Sequence, residues 1–154
     1  MSRLQREIRQ QKPFRSVGHE ATVGLMRTAD VVKRLFAAVV EPRGITLPQY
    51  NVLRILRGAA PEALPTLEVG GRLIEHAPGM TRMMDRLEAK GWVRRERCPG
   101  DRRQVLCTLT ASGKKLVDAL DGPMDRAAEE AVAALTRAEQ RTLVELLDRV
   151  RAEA

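Results

Sequence analysis

The stretch that decides the fold is RLIEHAPGMTRMMDRLEAKGWVRRERCPGDRRQVLCTLTASGKKL, which spans residues 72–116. Its apolar spacing and turn residues predict a helix, a sharp turn, a second helix and a β-hairpin with a basic tip. In the second helix, four apolar residues recur three or four positions apart and so share one face, namely Met80, Met83, Met84 and Leu87. That face is expected to pack on a core, while polar side chains point elsewhere. These polar residues are Thr81, Arg82, Asp85 and Arg86.

A hairpin is predicted directly after the second helix. Gly91 tolerates the left-handed backbone that ends a helix. Residues 92–98 and 104–110 then have the composition and alternation of two paired strands. The turn between them is given by Pro99, Gly100 and Asp101, and is followed by Arg102 and Arg103. The hairpin therefore presents two arginines near its tip.

Basic residues outnumber acidic ones across the predicted helix and hairpin. From Arg82 through Arg103 the chain has eight Lys or Arg against four Asp or Glu. A run of charge is usually a solvated face. Here it lies on a helix narrow enough for a DNA major groove and on a hairpin that can reach a minor groove. This coincidence predicts contact with a nucleic-acid duplex.

Length and composition favour a globular protein with a polyanionic partner. The 154 residues suit one compact domain, or one small domain with helical extensions, and 44% of them are apolar. The net charge is +7 and the isoelectric point is about 10.2, which favours nucleic acid or an anionic membrane as partner. No apolar run approaches the length of a membrane span, and no signal peptide is visible. We therefore expect a cytoplasmic protein without a membrane partner.

The residues that usually carry catalysis or bind metal are sparse. Cys98 and Cys107 lack any metal or redox spacing, so two ordinary thiols are the simpler interpretation, although oxidation of Cys98 beside the hairpin stays open as a signal. His19 and His76 are isolated from carboxylates and thiols. Phosphate-binding loops and nucleophile sets are missing. We expect no enzyme activity, no cofactor and no metal site.

Long helices are predicted on both sides of this central region. Ser16 can cap a helix that runs to Glu41, where Pro42 ends it, and this helix is longer than a small domain needs for itself. Thr110 can cap a helix from Ala111 to Leu135, and a capping box at residues 136–139 starts a last helix. Apolar stripes on these helices suggest that part of their surface meets another chain.

Two shorter helices are predicted between residues 46 and 75. Residues 46–49 form a capping box that opens a helix ending at Arg57, and residues 58–65 are predicted to be a loop. Thr66 can cap a third helix, Leu67 to Glu75, with Val69, Leu73 and Ile74 directed inward. Pro78 suits the first position of the helix that follows.

Three motifs together resemble the MarR family of bacterial transcriptional regulators. They are LPQYNVLRILRGA at residues 47–59, TRMMDRLEAKGWV at 81–93 and PGDRRQVLCTLTASGKKL at 99–116. The resemblance covers the chain from Phe14 to its end. It implies a winged helix-turn-helix protein that acts as a dimer and commonly responds to phenolic or aromatic ligands or to oxidants.

The resemblance also assigns roles to individual residues. The segment from Pro78 to Lys90 matches the family's recognition helix, in which Thr81, Arg82 and Arg86 face bases and phosphates. The run Asp101, Arg102, Arg103 matches the wing signature Asp-x-Arg, so Arg103 is the implied minor-groove residue and Asp101 its orienting carboxylate, with Arg102 as competitor. The complete candidate DNA-binding set is Pro78, Gly79, Thr81, Arg82, Arg86, Arg94, Arg95, Asp101, Arg102 and Arg103. Arg94 and Arg95 are equally well explained as a solvated strand face.

These observations predict a mainly α fold with a small β-hairpin wing. Residues 46–110 would form the winged helix-turn-helix domain, and residues 14–42 and 111–154 the dimerisation helices. The expected function is that of a homodimeric repressor on pseudo-palindromic double-stranded DNA, modulated by a small-molecule effector or an oxidant. The residues that would bind the effector are unknown. The alternative is a winged-helix module for protein contact, or a thiol switch, without its own operator.

Overall fold

The computed structural model describes residues 1–152, which form seven α-helices, one short 3-10 helix and three β-strands. The chain divides into two compact units, residues 1–35 and the part from residue 36 onward. None of the described helices is long and apolar enough to cross a membrane. The helices are α1 (Arg3–Glu7), α2 (Val17–Val40), α3 (Leu47–Ala59), α4 (Thr66–Gly71), α5 (Met80–Ala89), α6 (Ala111–Ala131) and α7 (Arg137–Ala152), and the strands are β1 (Leu64–Pro65), β2 (Val93–Arg97) and β3 (Val105–Leu109).

Side-chain caps start four helices at the predicted residues. The Ser16 hydroxyl accepts a hydrogen bond from the His19 amide at 3.1 Å at the start of α2. Reciprocal capping boxes open α3 and α7, because each pair of side chains satisfies end amides that have no partner within the helix. At α6, the Thr110 hydroxyl accepts from the Gly113 amide at 3.0 Å. These local predictions are confirmed.

The core of the second unit lies between α3, α5, α6 and the sheet. Its members are buried hydrophobic residues, and the predicted inner face of α5 is among them, since Met84 and Leu87 are fully buried. Met80 and Met83 pack at the edge of the same core. The buried set includes Val52, Leu53, Leu56, Val69, Met84, Leu87, Val93, Cys107, Val117 and Leu120.

The sheet has three antiparallel strands in the order β1-β3-β2. Within it, Cys107 of β3 lies between Leu64 of β1 and Arg95 of β2. The prediction of a loop over residues 58–65 is therefore wrong at its end. A strand of two residues has no sequence periodicity, and β1 forms only because β3 supplies its hydrogen bonds.

The region around α4 departs from the prediction in two ways. Thr66 does not cap the helix; its hydroxyl donates to the Val105 carbonyl at 3.3 Å, and α4 begins at Thr66 itself. The helix then ends at Gly71, so Ile74 is 82% exposed instead of directed inward. The glycine pair at 70–71 explains the early end, since each glycine costs a helix about 1 kcal/mol relative to alanine.

The boundaries of α5 and α6 also differ slightly from the prediction. Gly79 stands at the N-cap with a φ of 84°, a left-handed conformation that favours glycine, and α5 begins one residue later. Pro78 therefore precedes the helix instead of occupying its first position. The next helix, α6, ends at Ala131 instead of Leu135 and carries Pro123 within it.

Helix α6 is held closely against the start of the hairpin. A Cβ placed on Gly113 would lie 2.3 Å from the Trp92 carbonyl oxygen, so only glycine permits this approach. The same carbonyl accepts a hydrogen bond from the Thr110 amide at 3.1 Å. The position of the hairpin relative to α6 is therefore determined by backbone contacts.

The long outer helices leave apolar side chains on the surface. Across Val17–Val40, Val40 alone is buried, and across Arg137–Ala152 no residue is buried. Exposed apolar residues of α2 include Val17, Leu25, Met26 and Val31, and those of α7 include Leu143, Val144, Leu146 and Val150. The described part of the chain thus leaves apolar side chains of both helices uncovered.

Candidate nucleic-acid interface

Helix α5 presents a donor-bearing face to solvent. Its burial pattern turns Met84 and Leu87 into the core and leaves Thr81, Arg82 and Arg86 exposed. Gly79 precedes the helix, and Gly91 ends it with a φ of 74°. The four-residue spacing of the two arginines places them one turn apart on the same side of the helix.

An open groove of about 460 Å³ runs along this face between the start of α3 and α5. It is lined by Thr46, Pro48, Gln49, Pro78, Gly79, Arg82, Met83 and Arg86. The sequence pattern of Thr46, Pro48 and Gln49 predicts only helix capping. The capping box satisfies its own hydrogen bonds, so the sequence gives no sign that these residues also line a groove.

The wing tip is a turn that contains both arginines. The Gln104 amide donates to the Asp101 carbonyl at 3.0 Å, so Arg102 and Arg103 occupy the two central positions. The prediction of a turn at residues 99–101 with the arginines after it is corrected here. The Asp101 carboxylate accepts from the backbone amide of Arg103 at 3.0 Å, a local contact typical of aspartate in turns. It therefore orients the backbone of Arg103, and both arginines are exposed.

The two candidate arginines of β2 lie in different environments. Arg94 is 69% exposed and forms an ion pair with Glu96 on its own strand. Arg95 is 20% exposed, and its guanidinium pairs with Asp85 at 2.6 Å and with Glu88 at 3.1 Å on α5. The interpretation of Arg95 as a solvated or phosphate-facing side chain does not agree with this position, since its guanidinium is already paired with two carboxylates of α5.

The pairing also affects the titration of the groups involved. Hydrogen bonds from Arg95 lower the pKa of Glu88, and the carboxylates of Glu88 and Asp85 in turn raise the pKa of Arg95.

A second basic residue of the region, Lys90, also has partners within the protein. It donates to the Gly44 carbonyl and lies 4.8 Å from the centre of the Trp92 ring. Part of the basic run therefore supports the structure, and the remaining arginines form the exposed surface.

A partly exposed ion-pair network joins α3 to α6. Arg57 donates two hydrogen bonds of 2.8 Å to Asp121 and a third of 2.8 Å to Asp118. The hydrogen bonds to Asp121 raise the pKa of Arg57 above its usual value, and Arg57 lowers the pKa of Asp121. No local sequence pattern predicts this network, because the partners lie 61 and 64 residues apart in the chain.

The two thiols are free and differ in accessibility. Cys107 is buried in the sheet with its Sγ 3.4 Å from the Thr66 hydroxyl, and burial raises the pKa of its thiol. Cys98 is half-buried beside the wing tip, where its amide donates to the Gln104 carbonyl at 3.0 Å. Among residues 1–152, no group of three or more histidines, cysteines or carboxylates is arranged to hold a metal ion.

A helix-turn-helix followed by a hairpin, with exposed arginines on the second helix and at the hairpin tip, defines a winged helix-turn-helix DNA-binding protein. A family model described as MarR family matches residues 45–105. MarR from Salmonella typhimurium is 33% identical over 118 residues, which cover 76% of this chain and 81% of that relative. The chain belongs to the MarR family of transcriptional regulators.

Further matches differ in how much of each chain they cover. MarR from Escherichia coli is 38% identical over 85 residues, covering 55% of this chain and 58% of that protein. The chain thus spans little more than half the length of the curated relatives that it matches first, at 53% and 58%. The crystal structure of a mutant E. coli MarR complexed with operator DNA has a TM-score of 0.75 and 29% identity, over 97% of this chain and 99% of that one.

Proposed function

We propose that this chain is a sequence-specific double-stranded-DNA-binding repressor that acts as a homodimer. The observation that carries the proposal is the shared exposure of Arg82 and Arg86 on α5 and of Arg102 and Arg103 at the wing tip. These four cations lie on two elements whose widths match the two grooves of B-form DNA. The likeness to an operator-bound MarR supports the same arrangement.

Each exposed residue has a role in this proposal. Helix α5 enters the major groove, where Thr81, Arg82 and Arg86 contact base edges and phosphates. The backbone at Pro78 and Gly79 allows close approach to a phosphate, and Arg94 adds a phosphate contact. Arg103 enters the adjacent minor groove, because negative potential is focused where that groove is narrow. Asp101 orients the turn, and Arg102 is the alternative minor-groove residue.

The homodimer is proposed from the uncovered apolar faces. Helices α2 and α7 expose apolar side chains that a second copy would cover, since contiguous apolar patches on soluble proteins usually mark interfaces. Residues 14–42 and 111–154 would then form the dimerisation region and residues 46–110 the DNA-binding region. A two-fold dimer presents two copies of α5, so the operator would be pseudo-palindromic.

Repression and its control would depend on whether the dimer occupies its operator. A dimer seated across a promoter excludes other proteins from the same grooves, and a signal that favours a second conformation by a few kcal/mol releases it. A small-molecule effector or an oxidant would supply this signal. Cys98 is the oxidant candidate, because a bulky oxidised adduct beside the wing tip would disturb the docking of the wing.

Duplex binding measured against salt concentration tests the proposal. Operator sequences selected from a random duplex pool are titrated with the protein at several salt concentrations. Each phosphate contact should contribute a slope of about −0.9 to the logarithmic plot of affinity against salt. Replacement of Arg82 by alanine should weaken binding more than replacement of Arg54, an exposed arginine of α3 outside the proposed surface.

The competing proposal is a winged-helix module that binds another protein or acts as a thiol switch. Such a module would show no saturable duplex binding at any salt concentration. Equal weak binding of all duplexes, with no sequence enriched by selection, would also contradict a sequence-specific regulator.

A further inference from the structure

Helix α5 has a charge composition that is unusual for an element placed in a DNA groove. It carries two arginines, Arg82 and Arg86, and two carboxylates, Asp85 and Glu88, so the helix by itself has no net charge. Asp85 lies on the same exposed side as the arginines. An unpaired carboxylate there would repel phosphates and would accept a hydrogen bond from the N4 amino group of cytosine.

The structure pairs both carboxylates with one residue of the neighbouring strand. The Arg95 guanidinium reaches from β2 to the Asp85 carboxylate at 2.6 Å and to the Glu88 carboxylate at 3.1 Å. The Arg95 backbone amide also donates to Glu88 at 2.9 Å. Arg95 is far less exposed than its neighbour Arg94, at 20% against 69%, so its charge is directed inward to α5.

We infer that Arg95 determines base specificity without contacting DNA, because its guanidinium neutralises the partly exposed carboxylates of Asp85 and Glu88, so that hydrogen-bond donors dominate the reading face of α5. This inference rests on the proposed function and extends it. The face that remains offers the guanidinium groups of Arg82 and Arg86 and the hydroxyl of Thr81. Arginine pairs with the O6 and N7 acceptors of guanine through two parallel hydrogen bonds.

The spacing of the two arginines defines the base pattern. Side chains four residues apart on a helix lie about 6 Å from each other. Successive base pairs rise about 3.4 Å along each strand of the duplex. Each half-site should therefore contain two guanines about two base pairs apart, and cytosine should be disfavoured opposite Asp85 on the strand that α5 reads.

Four proteins test the inference: the wild type, Arg95→Met, the double variant Asp85→Asn/Glu88→Gln, and the triple variant that combines all three changes. Each is titrated with the selected operator. Arg95→Met should weaken binding about tenfold or more, because it frees two carboxylates beside the phosphates. In the double-variant background, the same replacement should weaken binding less than about threefold, since no carboxylates remain to be freed.

The salt dependence separates this role from a direct phosphate contact. The triple variant should keep the wild-type slope, because no phosphate contact is lost. A slope smaller by about 0.9, together with no rescue by the double variant, would show that Arg95 binds a phosphate itself and would overturn the inference. Glu62→Gln, at an exposed position in the loop before β1, controls for the removal of a negative charge away from α5.

Base selection and folding complete the test. Arg95→Met should select cytosine more often than the wild type does, and the triple variant should return to the guanine pattern. If Arg95→Met does not fold, the double variant alone decides, since a loss of more than about tenfold would mean that Asp85 or Glu88 contacts the bases. Failure of the wild type to bind any duplex would refute the proposed function, whereas wild-type binding without rescue would refute this inference alone.

Discussion

Arg103 is positioned through its backbone. Its amide donates to the Asp101 carboxylate at 3.0 Å within the turn that closes the wing. This contact fixes the backbone of the turn and so the direction in which the Arg103 side chain leaves it. Arg103 itself is exposed. An arginine held in this way suits a narrow minor groove, where the attraction depends on reaching a focused negative potential.

Replacement of Arg103 by alanine should weaken operator binding most when the flank beneath the wing is rich in A and T. The loss should be about tenfold on such a flank and smaller on a G/C-rich flank, because the minor groove is wider there. The measurement is a titration of matched duplexes that differ only in the flank. Equal losses on both flanks would contradict insertion into the minor groove.

The two cysteines should differ in reactivity. Burial and the raised pKa of the Cys107 thiol disfavour the reactive thiolate, whereas Cys98 is partly accessible beside the wing tip. A thiol-alkylating reagent applied to the folded protein should therefore modify Cys98 about tenfold faster or more. Mass spectrometry of the modified peptides measures the two rates, and the denatured protein serves as control. Faster modification of Cys107 would show that the sheet opens.

At the scale of elements, the Arg57 network joins two helices that are distant in sequence. Arg57 of α3 binds Asp121 of α6 through two hydrogen bonds of 2.8 Å each. Arg57 is 26% exposed and Asp121 46% exposed, so solvent screens the interaction and its contribution is on the order of 1 kcal/mol. Its main consequence is geometric, since it fixes how α3 approaches α6.

Replacement of Asp121 by asparagine should lower stability at neutral pH and leave it nearly unchanged in acid. The pKa of Asp121 is lowered below the ordinary 3.8, so its stabilisation is present above pH 3.8 and is lost as the pH falls through the lower folded value. Urea unfolding of wild type and variant across this range measures the difference in free energy of unfolding. A gap that persists after protonation would contradict an ionic origin.

The neighbouring carboxylate Asp125 provides the matched control for this prediction. It is exposed on the same helix, and its replacement by asparagine removes the same charge without removing a hydrogen bond to Arg57. The Asp125 variant should therefore unfold at nearly the wild-type urea concentration across the whole pH range.

At the scale of the whole molecule, the main feature is unburied apolar surface on long helices. Across the sixteen residues Arg137–Ala152 no side chain is buried, and the apolar residues Val144 and Val150 are each 58% exposed. A helix of this kind gains little from packing within its own chain. It is stable when a second copy covers its apolar face, because most helix stability in proteins comes from such packing.

Replacement of Leu146 and Val150 by glutamate should convert the protein from dimer to monomer. Burying two unpaired carboxylates in an apolar interface costs several kcal/mol, which is enough to separate the subunits at micromolar concentration. Sedimentation equilibrium measures the mass of each variant, and operator affinity should fall with the loss of the dimer. Arg141→Glu, which places the new carboxylate on the opposite side of α7 from Leu146 and Val150, should remain dimeric. A monomeric wild type would refute the assembly itself.

What could be read from the sequence was local in its physical origin. The caps at Ser16, Thr46, Thr110 and Thr136 depend on residues within three positions, and the apolar face of α5 depends on spacings of three and four. The motifs of residues 47–59, 81–93 and 99–116 then identified the family. Hydrogen bonds and side-chain faces within one helix follow from chain geometry alone, so these features needed no knowledge of the rest of the molecule.

Contacts between elements were decided by the tertiary structure alone. Strand β1 exists because β3 lies beside it, Thr66 bonds to Val105 instead of capping α4, and Arg57 meets Asp121 across two helices. Arg95 is the most consequential case, since its sequence context is that of an exposed basic strand and its partners lie on α5. The sequence of a basic run is the same whether its arginine contacts DNA or a carboxylate of the same chain. Only the folded structure decides which partner lies within reach.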